Sequence, residues 1–554
     1  MRKFRMLALI LAFCLLLGVF SACGGQPETP VTPDDSNETT PGGSVETPDA
    51  GQEDLQPQKG GHLDVHVVST IIGLDPHKDT TTWRYMYMAC IYEPALVRDA
   101  DNQIKPGICE YEVSEDGCTV TMWPREGAIF HDGTPVEAED VIASIQRACN
   151  FGVTVKEYLA PHIKEAYTQD GKAIIVLDKN DELAWSRLAS YQTWAAVMPK
   201  EICEKYADTW IMDPQDAIGT GPYKVSDFET MVQVTIERFE DYTPWGEGNT
   251  GFAGPKLAYM DSMSFWYNGD YNSSTLAVMA GEYDITDVIE PDYVEMAADA
   301  GVVRTNHGIA NNGFVINFNN GGGENVCAKY PDLRKAIMAA INMPEWAAIV
   351  TDDAIVMDRT PVLESTYDTN IFTTADWYGA PNQEAVDKYL AAARAAGYKD
   401  EPIRLISSDS GGESWTLLCK YFEDAGISYK MVYMDAASAS EMTTNPHEDW
   451  DLKWVYPTLG YTPTTLGDVW LEPDTYVSAD RDAVLAELRQ LEVGSDAYIA
   501  KWEELAQLFV DECSVVSFGV IDWYWNHNQE LHCDYEGVCP YFFNSWWENP
   551  ETHN

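Results

Sequence analysis

The sequence predicts a mixed α/β fold, in which strands and helices alternate along most of the chain. The 554 residues correspond to three or four domains at about 150 residues each. Apolar residues make up 45% of the chain, which is enough for large cores. Runs with alternating apolar and polar residues, typical of strands, lie between segments with the apolar spacing of helices.

The charge balance is strongly acidic. Lys and Arg total 35 and Asp and Glu total 89, which gives a formal net charge of −54. Because phosphate groups are bound by basic surfaces, this balance argues against nucleic-acid partners and against docking on anionic lipid. A solvated, self-repelling surface explains it, and attraction of cationic solutes into a cleft is the alternative. The 18 Trp residues also suit a site that holds ligands by stacking.

The amino-terminal 22 residues are predicted to be an export signal. Three basic residues precede an apolar run of 15 residues at 6–20, which suits a signal peptide and is short for a membrane span. The next residues, Phe20-Ser21-Ala22-Cys23, resemble a bacterial lipobox. We therefore expect cleavage before Cys23 and its lipidation; an ordinary secretory signal is the alternative.

Residues 23–59 are predicted to be a disordered tether behind the lipidated Cys23. From residue 26 the segment contains six Pro, many Thr, Gly and acidic residues, and no aromatic residue. Such a composition cannot bury enough apolar surface to fold. Anchor, tether and body together predict a lipoprotein on the outer face of the bacterial cytoplasmic membrane, or in the periplasm.

Ten of the twelve cysteines remain after Cys14 and Cys23 are set aside. An exported location permits disulfides. Cys533 and Cys539 flank a plausible turn and are the one pair for which the sequence offers an argument. No C-x-x-C occurs, so a zinc ribbon or a thioredoxin-like site is not indicated.

Residues 62–68 alternate as expected for a strand. Its faces carry Leu63, Val65 and Val67 on one side and His62, Asp64 and His66 on the other. Three such side chains on one face would suit a metal ion. An amphipathic first strand explains the pattern without one, and we expect neither a metal nor a cofactor.

Residues 110–123 predict a β-hairpin with its turn at 114–117. A capping box at 134–137 then predicts the start of a helix, with Thr134 as N-cap. The apolar stripe of that helix is Ala138, Val141, Ile142, Ile145 and Ala148. His131 and Asp132 form either an acid–base pair or, more simply, a turn completed by Gly133.

Further elements follow from periodicity and capping signals. Helices are predicted over residues 332–341, 383–396, 480–491 and 496–511, and strands over residues 174–177, 232–236, 314–317, 403–406 and 515–520. No internal repeat is present.

Residues 106–117 and 125–141, which include Phe130-His131-Asp132-Gly133-Thr134-Pro135, closely resemble the signature block of the family 5 extracellular solute-binding proteins. These are peptide-, nickel- and sugar-binding lipoproteins or periplasmic proteins of ABC importers. Shorter matches occur in the family's order, at residues 74–77, 91–97, 219–223, 281–285 and 332–342. The resemblance covers residues 60–550.

The resemblance implies a two-lobed fold of the type II periplasmic binding proteins, with an extra domain and a ligand cleft between the lobes. Lobe I would comprise residues 60–90, 195–308 and 516–554, the extra domain residues 91–194, and lobe II residues 309–515. The chain would cross between lobes at two segments, which makes Asn317, Asn319 and Ser517 candidate hinge residues.

The resemblance also implies which segments line the ligand. The candidate residues are Thr80, Thr82, Trp83, Trp454, Tyr456, Thr458, Gly460 and Tyr461. Gly460 stands where peptide-binding members have an Asp that holds the peptide amine. Asp435, Asp449 or Asp468 would have to replace it, or the ligand is an oligosaccharide or another solute without that need. For Trp454, Tyr456 and Tyr461, core packing is the alternative.

The function implied is capture of a small solute, with a peptide as the first choice, and its delivery by a monomeric binding protein to a membrane permease. No catalytic residue is expected. The competing class is an exported hydrolase, but neither G-x-S-x-G nor H-E-x-x-H occurs. A surface adhesin is the third class.

Overall fold

The structure is a computed structural model that describes residues 55–553 with some gaps. The gaps are residues 69, 79–84, 100–102, 152–154, 181–184, 190–194, 247–250, 288, 290–292, 322–324, 351–353, 357–374, 408–411, 435–437, 439–441, 443–448, 456–476, 489, 492–494 and 537–538.

Strands and helices alternate in the described residues, as the sequence predicts. The strands are β1 His62–Val67, β2 Leu96–Arg98, β3 Ile104–Pro106, β4 Cys109–Val113, β5 Thr119–Pro124, β6 Ile163–Gln169, β7 Lys172–Leu177, β8 Tyr223–Glu229, β9 Gln233–Arg238, β10 Ser262–Tyr267, β11 Ile285–Thr286, β12 Val302–Phe318, β13 Ala354–Val356, β14 Ile403–Ser407, β15 Tyr429–Tyr433, β16 Leu452–Val455, β17 Val515–Asn528, β18 Leu531–Glu536 and β19 Cys539–Trp547. The α-helices are α1 Tyr85–Ile91, α2 Ala138–Phe151, α3 Lys200–Lys205, α4 Tyr271–Ala280, α5 Val294–Asp299, α6 Val326–Lys329, α7 Pro331–Ala340, α8 Met343–Val350, α9 Gln383–Ala395, α10 Glu413–Asp424, α11 Ala479–Leu488 and α12 Asp496–Glu512.

A mixed sheet of 11 strands forms the centre of the described structure. Its order is β15-β14-β16-β12-β17-β11-β1-β10-β9-β8, and β13 pairs with β17 beside this path. We call β1 and β8 to β11 the first half of the sheet, β14 to β16 the second half, and the long antiparallel pair β12 and β17 the ribbon. The ribbon therefore joins the two halves.

Each half of the sheet has its own apolar core. The first core includes Leu63, Val65 and Val67 of β1, with helix α1 against them. The second core packs helices α7, α9 and α10 on the second half and takes Ile316 and Val516 from the ribbon. Because the two ends of the ribbon are held in different cores, the ribbon is the part of the sheet that must bend if the halves move.

A third core lies within residues 95–197. It is enclosed by helix α2 and a separate four-stranded sheet of order β4-β5-β7-β6. The predicted hairpin is present as β4 and β5, and its turn contains Gly117 with a positive φ of 67°. The predicted division of the chain into an extra domain and two lobes stays a proposal.

Helix α2 begins at Ala138, so the predicted start at Thr134 is wrong. The Thr134 amide and hydroxyl both donate to the carboxylate of Asp132, at 2.9 and 2.6 Å. Pro135 forms an isolated bridge with Ile129. Thr134 is thus used by the preceding turn and cannot cap the helix. The predicted apolar stripe is correct, because all five of its residues are buried.

Of the predicted Cys533–Cys539 pair, the side chain of Cys533 is described and that of Cys539 lies outside the described residues. Cys533 is a free cysteine, and its Sγ lies 3.2 Å from the Ser545 hydroxyl, which donates to it. In the antiparallel pair β18–β19, Cys539 lies opposite Glu536 instead, and the register shifts next to Cys533. The two cysteines therefore do not face each other across the strands.

The described residues contain no helix that is long and apolar enough to cross a membrane.

Candidate functional site

Three parallel strands of the first half end at the same edge of the sheet. β1 runs parallel to β10, with Val67 opposite Tyr267, and parallel to β11, with Val65 opposite Ile285. The residues that follow the three strands are therefore close neighbours. They include Asn268 and Asp287.

The second half has a corresponding edge. β14 is parallel to β15, with Ser407 opposite Tyr433, and parallel to β16, with Leu405 opposite Leu452. The carboxyl ends of these strands are followed directly by residues 408–411 and 456–476, which lie outside the described residues.

The ribbon makes the two edges face each other. β11 is antiparallel to β17, with Thr286 opposite Asn526, so β11 points toward the second half. β16 is antiparallel to β12, with Asn317 opposite Lys453, so β16 points back toward the first half. In open α/β sheets, ligands bind outside the carboxyl ends of parallel strands. Here two such edges meet across the ribbon, and the gap between them is the candidate site.

Most of the predicted ligand-contacting residues lie outside the described residues. These are Thr80, Thr82, Trp83, Tyr456, Thr458, Gly460 and Tyr461, together with the alternative anchors Asp435 and Asp468. The described chain nevertheless leads directly to them, since residues 79–84 precede α1 and residues 456–476 follow β16. Their contact with a ligand stays a prediction.

Trp454, on β16, packs against two other tryptophans. Its ring centroid is 5.3 Å from that of Trp346 in an edge-on arrangement and 6.1 Å from that of Trp415. Trp346 is fully buried, and its indole N–H donates to the Ser414 carbonyl at 2.8 Å. Trp454 itself is half-buried against the second core. Core packing thus accounts for much of its surface.

Asp449, the remaining alternative anchor, is exposed on the surface. Its carboxylate lies 3.9 Å from Arg404, and 78% of its side chain is accessible. The buried acid of this region is the nearby Asp451. Asp451 Oδ2 accepts hydrogen bonds from the Arg404 amide and Nε, both at 2.9 Å, and Oδ1 accepts one from the Val326 amide at 2.8 Å. Asp451 thereby joins β14, β16 and α6, which no motif in the sequence indicates.

The candidate hinge residues lie at the second-half end of the ribbon. Asn317 pairs with Val515 and Ser517 with Val315 in the β12–β17 ladder. Asn319 is buried, with its side-chain amide donating to the Trp450 carbonyl at 3.2 Å. The register shifts of the ribbon lie earlier in β12, between Asn306 and Val315. The irregular part of the ribbon thus precedes Asn317 and Asn319.

The signature residues have structural roles. His131 is held by backbone on both sides: Nε2 lies 3.0 Å from the Gly221 carbonyl, and Nδ1 accepts from the Gly219 amide at 3.1 Å. Burial lowers the pKa of His131 to about 4, so the ring is neutral. It is not an acid–base partner of Asp132, whose carboxylate binds Thr134. A Cβ at Gly219 would collide with the Ile91 carbonyl, which explains the glycine there.

Glu93 is the buried centre of a second structural cluster. Its Oε1 accepts hydrogen bonds from Tyr242 at 3.0 Å, Trp245 at 2.8 Å and Lys256 at 3.0 Å. Burial raises the pKa of Glu93, but the charges of Lys256 and Arg125 outweigh burial and hold it below its usual value. Glu93 is therefore ionised and paired, as a buried charge must be to be tolerated.

The polar face of β1 is satisfied by its neighbours. His66 Nδ1 lies 2.7 Å from the Thr286 hydroxyl, and its Nε2 lies 2.7 Å from the Ser274 hydroxyl and 2.8 Å from the Asn268 carbonyl. Burial lowers the pKa of His66, so the neutral ring is favoured. Asp64 accepts a hydrogen bond from the indole of Trp266 at 2.7 Å. These bonds explain the alternating polar residues of the strand.

Asp287 differs from all these acids, because it is buried with neither carboxylate oxygen in a hydrogen bond. It follows β11 at the edge of the candidate site. Burial raises its pKa to about 7, against smaller lowering contributions from its own amide and Thr286. The sequence gives no signal for it, since Asp287 follows a strand of only two residues.

Two cavities formed by described residues lie elsewhere. One, of about 350 Å³, lies beside α2 and α3 and includes Gln146 and Cys203. The other, of about 540 Å³, is lined by Arg238 and Asp261, at the amino-terminal end of β10. Neither lies at the facing strand ends.

Comparison with known families gives one match over most of the chain. The family described as "Bacterial extracellular solute-binding proteins, family 5 Middle" matches residues 103–466, well over half of the sequence. This match confirms the family expected from the signature block.

Among curated proteins, the chain is similar to the glutathione-binding protein GsiB of Salmonella paratyphi A. The two are 27% identical over 220 residues, which cover 39% of this chain and 40% of that protein. The chain thus matches about two fifths of the length of this relative.

Among solved structures, the chain is similar to the periplasmic binding protein DppA from Helicobacter pylori in complex with the peptide STSA. The TM-score is 0.70 at 16% identity, covering 89% of this chain and 99% of that one. A second is AgaA from A. tumefaciens R10 in complex with agropinic acid, with TM-score 0.70, 19% identity, and 89% and 98% covered. The likeness confirms the predicted two-lobed α/β fold.

Proposed function

Because this chain belongs to the bacterial extracellular solute-binding proteins of family 5, we propose that it captures a small solute between its two lobes and delivers it to the permease of an ABC importer. The observation that carries the proposal is the pair of strand-end edges that face each other across the ribbon. A solute held there contacts both halves of the sheet at once. No covalent chemistry is required of the site.

The proposed mechanism is closure of the lobes on the solute. The ribbon reaches both cores, through Trp525 in the first and through Ile316 and Val516 in the second. Its register shifts between Asn306 and Val315. Bulges of this kind concentrate twist and bending in a sheet. We place the bending in this irregular segment of the ribbon. Ser517, which pairs with Val315, lies at the end of the segment. The solute favours the closed form by its contacts with both edges.

A peptide is the first choice of solute. GsiB is a glutathione-binding protein, and DppA holds the peptide STSA. A non-peptide solute is the second choice, since AgaA holds agropinic acid and Gly460 stands where peptide-binding members have an acid. An oligosaccharide belongs to this second group.

The proposal includes export and anchoring. Cys23 would carry the lipid, residues 23–59 would form the tether, and the body would work as a monomer outside the cytoplasmic membrane. A tether raises the effective concentration of the body near a permease in the same membrane.

The domain assignment completes the proposal. Lobe I corresponds to the first core, lobe II to the second and the extra domain to the third. With this assignment, the proposed position of the solute is between the first and second cores.

A thermal-shift screen of short peptides, oligosaccharides and opines tests the function. A ligand at 100 times its Kd stabilises the folded protein by about 2.7 kcal/mol. We expect at least one peptide to raise the melting temperature without being converted, as checked by mass spectrometry of the recovered peptide. Hydrolysis by the pure protein would contradict the proposal and support an enzyme. Stabilisation by sugars or opines alone would move the assignment to the second choice of solute.

A further inference from the structure

The carboxyl group of Asp287 is buried without a partner. Its residual exposure is 8%, and both oxygens are inaccessible to solvent. Neither oxygen has a described hydrogen-bond partner in good geometry, and the weak contacts with its own amide and with Thr286 lower its pKa by less than burial raises it. Buried acids in proteins are almost always paired or hydrogen-bonded, because moving a charge out of water costs several kcal/mol. The other buried acids among the described residues follow the rule, since each accepts at least two hydrogen bonds: Asp75, Glu93, Asp140 and Asp451. An exception of this kind indicates a group that completes the site from outside.

The position of Asp287 is at the edge where a solute is expected. β11 points along the ribbon toward the second half, and Asp287 is the residue immediately beyond its carboxyl end. Ile285, two residues earlier on β11, lies in the first core, which also includes residues of helix α1. That helix directly follows residues 79–84, the segment expected to contact a ligand.

The charged groups on neighbouring strands do not neutralise Asp287. His66 on β1 is neutral and is bound to Thr286 and Ser274. His527 on β17 pairs with Thr305, and burial lowers its pKa. Arg304 on β12 is exposed, and its guanidinium lies over the ring of Tyr524 at 3.9 Å. Burial is accordingly the main cause of the raised pKa of Asp287, and no cation is among the causes.

We propose that Asp287 determines specificity in the cleft by receiving a cationic group of the solute, an ammonium or a guanidinium. The inference rests on the proposed solute-binding function and adds the chemical class that the site selects. A cation bound at the Asp287 carboxylate would supply the counter-charge that this buried group lacks. The net charge of −54 draws cationic solutes toward the protein and repels anionic ones.

The test compares wild type with Asp287→Asn and a matched control, Asp284→Asn. Asp284 is half-buried and also has a raised pKa, of about 6, but it precedes β11 and accepts a hydrogen bond from the Asp64 amide at 2.8 Å. The probes are Ala-Ala-Ala, N-acetyl-Ala-Ala-Ala-amide and N-acetyl-Ala-Lys-Ala-amide, measured by calorimetry at pH 8.

A charged hydrogen bond corresponds to about a tenfold to hundredfold change in affinity. We expect Asp287→Asn to lower affinity for the better cationic peptide by at least about tenfold and to leave the uncharged peptide within about twofold. Asp284→Asn should preserve the preference.

The proposal is overturned if Asp287→Asn keeps the wild-type preference for the cationic peptide. It is also overturned if wild type binds the uncharged peptide as tightly as the cationic ones. If no peptide binds to wild type, the peptide assignment fails. Ethylammonium chloride then serves as the probe that tests the cation site at Asp287 independently of peptide binding. Stabilisation of wild type by ethylammonium relative to sodium at pH 8, lost in Asp287→Asn, supports the cation site. Equal shifts in both proteins refute it.

Discussion

Arg147 of helix α2 donates from Nη1 to Asp75 Oδ1 at 2.9 Å, and its second terminal nitrogen donates to the other carboxylate oxygen. Both side chains are buried. The pair connects the loop after β1 to helix α2, which packs in the third core. The Asp75-Pro76-His77 match to the family is therefore explained by assembly of the fold.

Replacement of Arg147 by Ala should destabilise the protein strongly. It leaves Asp75 buried without its main partner, and breaking one side of a buried ion pair costs about 3–5 kcal/mol. Urea unfolding followed by circular dichroism measures the loss. The control is Lys224→Ala, because Lys224 forms a surface pair with Glu237 at 3.1 Å and should contribute less than about 1 kcal/mol. Equal stabilities for the two variants would contradict a structural role for the pair.

Replacement of Trp454 by Ala should reduce stability more clearly than ligand affinity. The ring packs on Trp346 and Trp415, and truncation of a packed tryptophan costs about 3 kcal/mol or more. Chemical denaturation and calorimetry with the best probe peptide separate the two effects. Unchanged stability with a hundredfold weaker peptide would instead make Trp454 a direct ligand contact.

Stability of the ligand-free protein should fall as the pH rises from about 4 to about 7 on account of Asp287. Its folded-state pKa is raised to about 7 from the usual 3.8, so the folded state binds the proton more tightly than the unfolded chain. Stability from this group is complete below the unfolded pKa and is lost as the pH passes the folded pKa. The difference corresponds to on the order of 4 kcal/mol.

Asp287→Asn should remove this part of the pH dependence. We therefore expect the variant to be more stable than wild type at pH 8 and similar to it at pH 4, by urea unfolding at both values. Asp284→Asn should have a smaller effect in the same direction, because the pKa of Asp284 is raised only to about 6. Parallel pH profiles for wild type and Asp287→Asn would show that the carboxylate is not buried unpaired.

Export should leave Cys23 as the lipidated first residue. The motif at 20–23 and the acidic tether that follows motivate this expectation. Mass spectrometry of the amino-terminal peptide from bacterial membranes detects the modification, and Cys23→Ser should release the body from the membrane fraction. An unmodified cysteine, or cleavage at another position, would contradict it.

Local sequence was sufficient to predict features that depend on a single strand or helix. The alternation in β1 correctly indicates that Leu63, Val65 and Val67 are buried, although His66 on the opposite face is buried as well. The stripe of α2 is correct residue by residue. The start of α2 was not predictable, because the competing hydrogen bonds from Thr134 to Asp132 satisfy the same hydroxyl that a capping box would use. The disulfide stays a prediction, and strand register, which proximity in sequence does not reveal, places Glu536 rather than Cys533 opposite Cys539.

The sequence by itself determined the family, the mixed α/β class and most of the elements, since these depend on periodicity and on a contiguous signature block. Only the tertiary structure decided which strand ends face each other across the ribbon. β11 has two residues and no sequence pattern, yet its pairing between β1 and β17 turns it toward the second half of the sheet. Burial of Asp287 likewise depends on strands more than 200 residues apart in sequence, β1 and β17. Desolvation is a property of the assembled surroundings, so no local pattern could distinguish this aspartate from the other acidic residues of the chain.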